Sequence, residues 1–233
     1  MPCIAEWPEL VSAERLAEWS TRQCSPMTGE RFRDVSLAML ELAKSENLIQ
    51  PQATYQLFDV AKSGDDWVRL ENGDEIADAP AAAKVIAKAQ SLIAAVVTIG
   101  DRLERRVSSL FSEKKTLKAF ALEEIGVSAQ FELSTALAER LAGEAGTLGL
   151  QCSSALFPGN DGFDLKQQST VFKLAGGKKI GMRLSESAML YPVKSASMIF
   201  GFGKKMPSWE RTKDCETCKA REKCRFRRDK AAA

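Results

Sequence analysis

The sequence predicts a mixed fold of helices and strands in one large domain, and three observations predict it. Apolar residues recur at helical spacing over residues 28–46, 101–111 and 116–143. Two β-branched or aromatic runs, 55–60 and 67–70, flank the turn composition Lys-Ser-Gly-Asp-Asp, as paired strands do. The continuous apolar run at 92–100 has the character of a strand buried on both faces. The 233 residues, 45% of them apolar, suffice for one core with short appendages.

In chain order, residues 12–23 and 28–46 predict two helices, with Leu16 and Trp19 on the first stripe and Phe32, Val35, Met39 and Leu42 on the second. Pro26 and Gly29 punctuate between them, and Asn72-Gly73 ends the paired strands. A helix over 80–90, with Pro80 in its first turn, leads into the buried strand. Asp101 with Glu104 forms a capping-box pattern, and Leu103, Val107, Leu110 and Phe111 follow on one face. Thr98-Ile99-Gly100 before that helix start reads either as a tight strand-to-helix turn or as an anion contact.

Residues 116–143 predict the longest helix, with Leu133, Leu137 and Leu141 on its core stripe and Gly126 as a site of break or close packing. Most of Glu123, Glu124, Glu132 and Glu139 are expected in solvent. A strand over 150–156 follows, then the loop Phe157-Pro158-Gly159-Asn160-Asp161-Gly162, suited to close backbone approach. Asp164 opens the next helix and Gly176-Gly177 closes it.

Charge and cysteine are concentrated at the C-terminus. Residues 211–230 carry nine Lys or Arg against four Asp or Glu, a net +5 that leaves −3 for the remainder of the chain. Cys215, Cys218 and Cys224 form C-x2-C-x5-C inside this run, and Lys213, Lys219, Arg221, Lys223 and Arg225 favour their thiolate forms. The spacing predicts a metal centre, either an iron-sulfur cluster or zinc. With no histidine in the chain, a fourth ligand is another cysteine (Cys152, Cys24 or Cys3), a carboxylate, water or a partner's atom. The plainer alternative is a basic tail whose cysteines bind nothing.

Several classes are excluded. Without histidine there is no Ser-His-Asp triad, Cys-His pair or H-E-x-x-H site, and neither a Walker loop nor G-x-G-x-x-G is present. The tail has little aromatic interleaving beyond Phe226 and no nucleic-acid-binding motif precedes it, so no nucleic-acid partner is expected. The run at 92–100 is about half the roughly 20 residues a membrane span needs, and the cysteine usage suits a reducing compartment, so a cytoplasmic location without membrane association is expected.

Residues 181–203 carry the most specific pattern. Gly181-Met182-Arg183-Leu184-Ser185-Glu186-Ser187, the aromatic-proline pair Tyr191-Pro192, then Ser195-Ala196-Ser197 and an apolar strand resemble the activation domain of cobalamin-dependent methionine synthase. Thr98-Ile99-Gly100, Ile125-Gly126, Pro158-Gly159 and Gln167-Gln168 occur in the same order as in that family, and the likeness covers about residues 37–203. It implies an α+β fold, a twisted and mostly antiparallel sheet flanked by helices, and a role in returning an oxidised corrinoid to activity with S-adenosylmethionine as methyl donor.

The chain departs from that family in two places. Ala155 and Asn160 stand where the family's loop carries arginine and tyrosine, which removes the usual anchor for the ligand's carboxylate. Glu132, near the family's acidic contact, can still meet its amino group. The cysteine tail is an addition, and the modules for homocysteine, folate and cobalamin are absent from this sequence, so any such role is exercised in trans on a corrinoid protein or methyltransferase.

The sequence therefore divides into an N-terminal helical segment (1–36), an activation-domain-like region (37–205) and a metal-binding tail (206–233). The ligand- or corrinoid-facing candidates are Glu132, Phe157, Pro158, Gly159, Tyr191, Ser195 and Ser197; for the two serines the alternative is hydroxyls satisfied within a sheet. A scaffold organised by structural zinc, or a methyltransferase with its own acceptor, are the competing functional expectations.

Overall fold

The computed structural model describes residues 3, 4, 7, 26–206, 216 and 222. The expected helix at 12–23 and the three tail cysteines lie outside them. The described residues build a seven-stranded sheet in the order β4-β3-β2-β5-β9-β6, with β1 (Cys3–Ile4) also on β2. The strands are β2 (Gln52–Ser63), β3 (Val68–Leu70), β4 (Glu75–Ile76), β5 (Ser91–Thr98), β6 (Gln151–Cys152) and β9 (Ser195–Gly203). Every pairing is antiparallel. A separate two-stranded ribbon joins β7 (Arg183–Leu184) to β8 (Leu190–Tyr191). No helix among the described residues is long and apolar enough to cross a membrane.

Strand β5 explains the architecture. Its continuous apolar run sits between β2 and β9, and its side chains alternate between two cores because successive residues of a strand point to opposite faces. Ile93, Ala95 and Val97 enter one core with residues of helices α1 (Pro26–Ser45), α3 (Arg102–Ser112) and α4 (Thr116–Thr147). Leu92, Ala94 and Val96 enter the other, with α2 (Pro80–Ile86) and α5 (Gln168–Ala175). Helices thus cover both faces of an antiparallel sheet, the α+β arrangement expected. Each fully buried Leu or Ile in β5 contributes roughly 1.5–3 kcal/mol by leaving water.

The helical stripes behave as their spacing requires. Met39 is buried and Phe32, Val35 and Leu42 pack partly against the first core. Leu103, Val107 and Leu110 are buried, whereas Phe111 is left 42% exposed. Helix α4 passes through Gly126 without a break; a Cβ there would lie 2.6 Å from Leu103 Cδ2, so this glycine serves close packing.

Four expectations change. The helix expected at 80–90 ends at Ile86, because Gln90 N–H already donates to Phe202 O in the sheet at 2.8 Å. The strand expected at 150–156 reduces to β6 and one bridge, Leu156 to Ile199. Between them the hydroxyl of Ser153 takes over a ladder acceptor's place, receiving the Gly201 N–H at 2.9 Å. The capping box at Asp101 does not form: Asp101 pairs instead with Arg105 at 2.7 Å, and Glu104 reaches another segment. Glu132 is buried at 5% exposure, while Glu123 and Glu124 are half-buried and Glu139 is exposed.

Candidate functional site

The segment from Arg183 to Ser197 runs from the β7–β8 ribbon into the start of β9, and its polar atoms are held by residues distant in sequence. The Tyr191-Pro192 peptide bond is cis. Ser195 Oγ donates to Pro192 O at 2.6 Å, closing the turn into β9. Val193 N–H donates to Glu104 Oε2 at 3.0 Å, and Lys194 Nζ donates to Glu123 Oε1. Lys194 O accepts from Ile99 N at 3.2 Å, which ties the turn to the end of β5. Tyr191 is exposed, with the Arg183 guanidinium 5.9 Å from its ring centroid.

On the α5 side of the sheet, buried Ser197 donates through Oγ to Gln168 Oε1 at 3.0 Å, and Gln168 Nε2 donates to Ala188 O. Both serines singled out by sequence therefore have their hydroxyl protons engaged within the chain. Beside them, Gln167 Oε1 is buried with no hydrogen-bond partner among the described residues. Such an acceptor costs about 1–3 kcal/mol unless something donates to it.

The Phe157–Gly162 loop leaves the sheet directly after the Leu156 bridge to Ile199, which brings it beside Ser197. Pro158 is buried and Gly159 exposed at φ +93°. Gly159 N–H donates to Phe163 O at 2.8 Å and Asn160 N–H to Phe157 O at 3.1 Å, so these amides are consumed inside the loop. Gly162 is needed for contact with α2: a Cβ would lie 2.9 Å from Ala81 Cβ, and Gly162 O accepts from Ala81 N. At the end of β5, Gly100 N–H donates to Thr98 Oγ1 at 3.1 Å, the tight-turn reading of Thr98-Ile99-Gly100.

Glu132 and Phe157 stand apart from the serines. Glu132 belongs to α4, which packs on the face carrying Met198 and Phe200, and Phe157 packs partly against the same core. Ser195 and Ser197 alternate with those residues and point to the α5 face. The candidates thus form two groups across the sheet: Ser195 and Ser197, with the Pro158-Gly159 loop beside Ser197, and Glu132 with Phe157 on the other face.

Sequence reading did not single out Glu104 and Glu123 as holders of this turn, nor Lys194 as buried. The contacts span 89 and 71 positions, and nothing local in the sequence signals them. Among the described residues no group of three or more His, Cys, Asp or Glu is arranged to hold a metal ion. Cys152 is buried, and burial pushes its thiol up to about 12.

No protein-family model and no curated protein matches the chain. Among solved structures it is similar to one described as the MetH reactivation domain bound to AdoHcy, with a TM-score of 0.60 and 16% sequence identity, covering 96% of this chain and 86% of that one. The fold is that of the reactivation domain, an antiparallel sheet with flanking helices, in keeping with the resemblance carried by residues 181–197.

Proposed function

We propose that this chain is a relative of the reactivation domain that acts in trans on a corrinoid protein or cobalamin-dependent methyltransferase, supporting reductive reactivation or methyl transfer. The observation that supports the reading is the likeness to the reactivation-domain structure, a match that covers 96% of this chain. Such a reaction would require an electron from an external reductant to take the partner's cobalt(II) to cobalt(I), and a methyl donor to trap the reduced metal. The protein's contribution is to bind and orient.

Residues 37–205 supply the activation-domain-like body in this reading. The candidates for the ligand-facing side are Pro158, Gly159, Tyr191, Ser195 and Ser197, of which Gly159 and Tyr191 are exposed while Pro158 and Ser197 are buried. The solved relative holds AdoHcy. Here Ala155 places no cation in the loop, and the amides of Gly159 and Asn160 are already bonded. The loop therefore does not fit the carboxylate of S-adenosylmethionine, and Glu132 would remain the candidate contact to its amino group. No step is assigned to that ligand in this chain.

The tail, residues 206–233, would hold an iron-sulfur cluster through Cys215, Cys218 and Cys224, supplying an electron relay next to the corrinoid partner. A cytoplasmic location follows from that reducing chemistry.

Anaerobic purification with visible absorption and iron, sulfide and zinc analysis tests this reading. A brown protein with stoichiometric iron and sulfide that bleaches in Cys218→Ser, and that shifts the spectrum of a cob(II)alamin protein, is the expected result. A colourless zinc protein that leaves the corrinoid spectrum unchanged would establish the scaffold instead.

A further inference from the structure

Six of the ten large apolar side chains left exposed among the described residues fall in two groups. Phe111, Leu117 and Phe120 lie on the α3–α4 hairpin, and Met189, Tyr191 and Val193 alternate along the segment bonded to it. Phe120 and Val193 are each 53% exposed. Exposed apolar side chains grouped in this way mark an interaction surface more often than a random surface.

Two bonds fix how these groups sit. Val193 N–H is held by Glu104 of α3, and Lys194 by Glu123 of α4. On α3, Phe111 follows Glu104 by seven positions, two turns along the same face, or roughly 10 Å. On α4, Phe120 precedes Glu123 by one turn, and Leu117 precedes Phe120 by another. The Phe111 and Phe120 rings meet edge to face with centroids 5.4 Å apart. Val193, Phe120, Phe111 and Leu117 therefore lie along one side of the hairpin.

The charges around this strip are unbalanced. Its carboxylates are already engaged: Asp101 with Arg105, Glu104 with Val193 N, Glu113 with Lys115 and Arg106, and Glu123 with Lys194. Glu124 also has a partner. Arg102, Lys114 and Lys118 are exposed with no ion pair among the described residues. Like charges would meet if two copies of this hairpin faced each other, so the complement is a different surface, apolar and bordered by acids.

We propose that the side of the α3–α4 hairpin bearing Phe111, Leu117, Phe120 and Val193 is the docking surface for the corrinoid-carrying protein, which meets it with an apolar patch ringed by carboxylates. This rests on the proposed function and adds to it the face used. The two aromatic rings act as the anchors, and the three cations steer approach and set register.

The test uses the full chain and, as probe, a purified cobalamin-binding domain of methionine synthase loaded with cob(II)alamin. Binding is followed by titration calorimetry at several salt concentrations. The wild type is expected to bind, Phe111→Ser with Phe120→Ser to weaken binding about tenfold or more with an unchanged circular dichroism spectrum, and Lys114→Glu with Lys118→Glu to weaken it while flattening its salt dependence. Equal binding by wild type and both variants overturns this surface and leaves the proposed function standing. No binding by the wild type overturns the proposed function, and this surface with it. Self-association of the wild type that the phenylalanine variant abolishes assigns the strip to a second copy and also overturns the proposal.

Discussion

Lys194 Nζ lies 2.5 Å from Glu123 Oε1, yet the two side chains are unequally buried, at 9% and 37% exposure. The asymmetry decides what each substitution does. Glu123→Gln leaves an ammonium without its counter-charge in a nearly dry position, at a cost of about 3 kcal/mol, whereas Lys194→Met leaves a carboxylate that water can reach and keeps the aliphatic stem, at about 1 kcal/mol. Urea unfolding of the two variants checks the order, and equal losses would count against it.

Gly126 and Gly143 share helix α4 and predict opposite outcomes. Alanine is favoured over glycine in a helix by about 1 kcal/mol. At Gly143 nothing lies within 4 Å of the added Cβ, so Gly143→Ala should stabilise by that amount. At Gly126 the Cβ meets Leu103 Cδ2 at 2.6 Å and Lys194 Cε at 2.8 Å. Leu103 is fully buried and cannot move freely, so overpacking of about 2 kcal/mol outweighs the helical gain. Thermal unfolding should show Gly143→Ala above and Gly126→Ala below the wild type.

Tyr55 donates its hydroxyl to the Glu144 carboxylate at 2.7 Å, and burial first, then that hydrogen bond, pushes it up to about 12. A raised value means the folded state favours the neutral phenol. The contribution is complete below the ordinary tyrosine value of 10.0 and is lost as pH rises through about 12. Tyr55→Phe should lose about 1–2 kcal/mol at pH 8, and its deficit against wild type should shrink between pH 10 and 12. A deficit constant across that range would refute the assignment.

Cys152 is 2% exposed, and desolvation alone raises its thiol to about 12. It is therefore almost wholly protonated and shielded at neutral pH, and the thiolate is the reactive form. Iodoacetamide treatment followed by peptide mass spectrometry should leave Cys152 unmodified in the native protein and label it after denaturation. Native labelling would mean that its core opens.

The elements were legible wherever one residue type recurs at a fixed period. The stripes of α1 and α3, the doubly buried β5, the Asn72-Gly73 turn and the helix closed at Gly176 each follow from side chains within one short segment. The strand expected at 150–156 shortens because the Ser153 hydroxyl replaces a backbone acceptor, which composition does not reveal.

The sequence by itself determined the α+β class, the two-sided burial of β5 and the residue block from Gly181 to Ser197, because apolar periodicity and local motifs are properties of neighbouring residues. Only the tertiary structure decided what those residues touch. It sends Glu104 to Val193 instead of a cap, buries Glu132, closes Ser197 onto Gln168 and turns Glu132 and Ser197 to opposite faces of the sheet. Long-range partners are chosen by the packing of helices on the sheet, and that choice leaves no trace in local spacing.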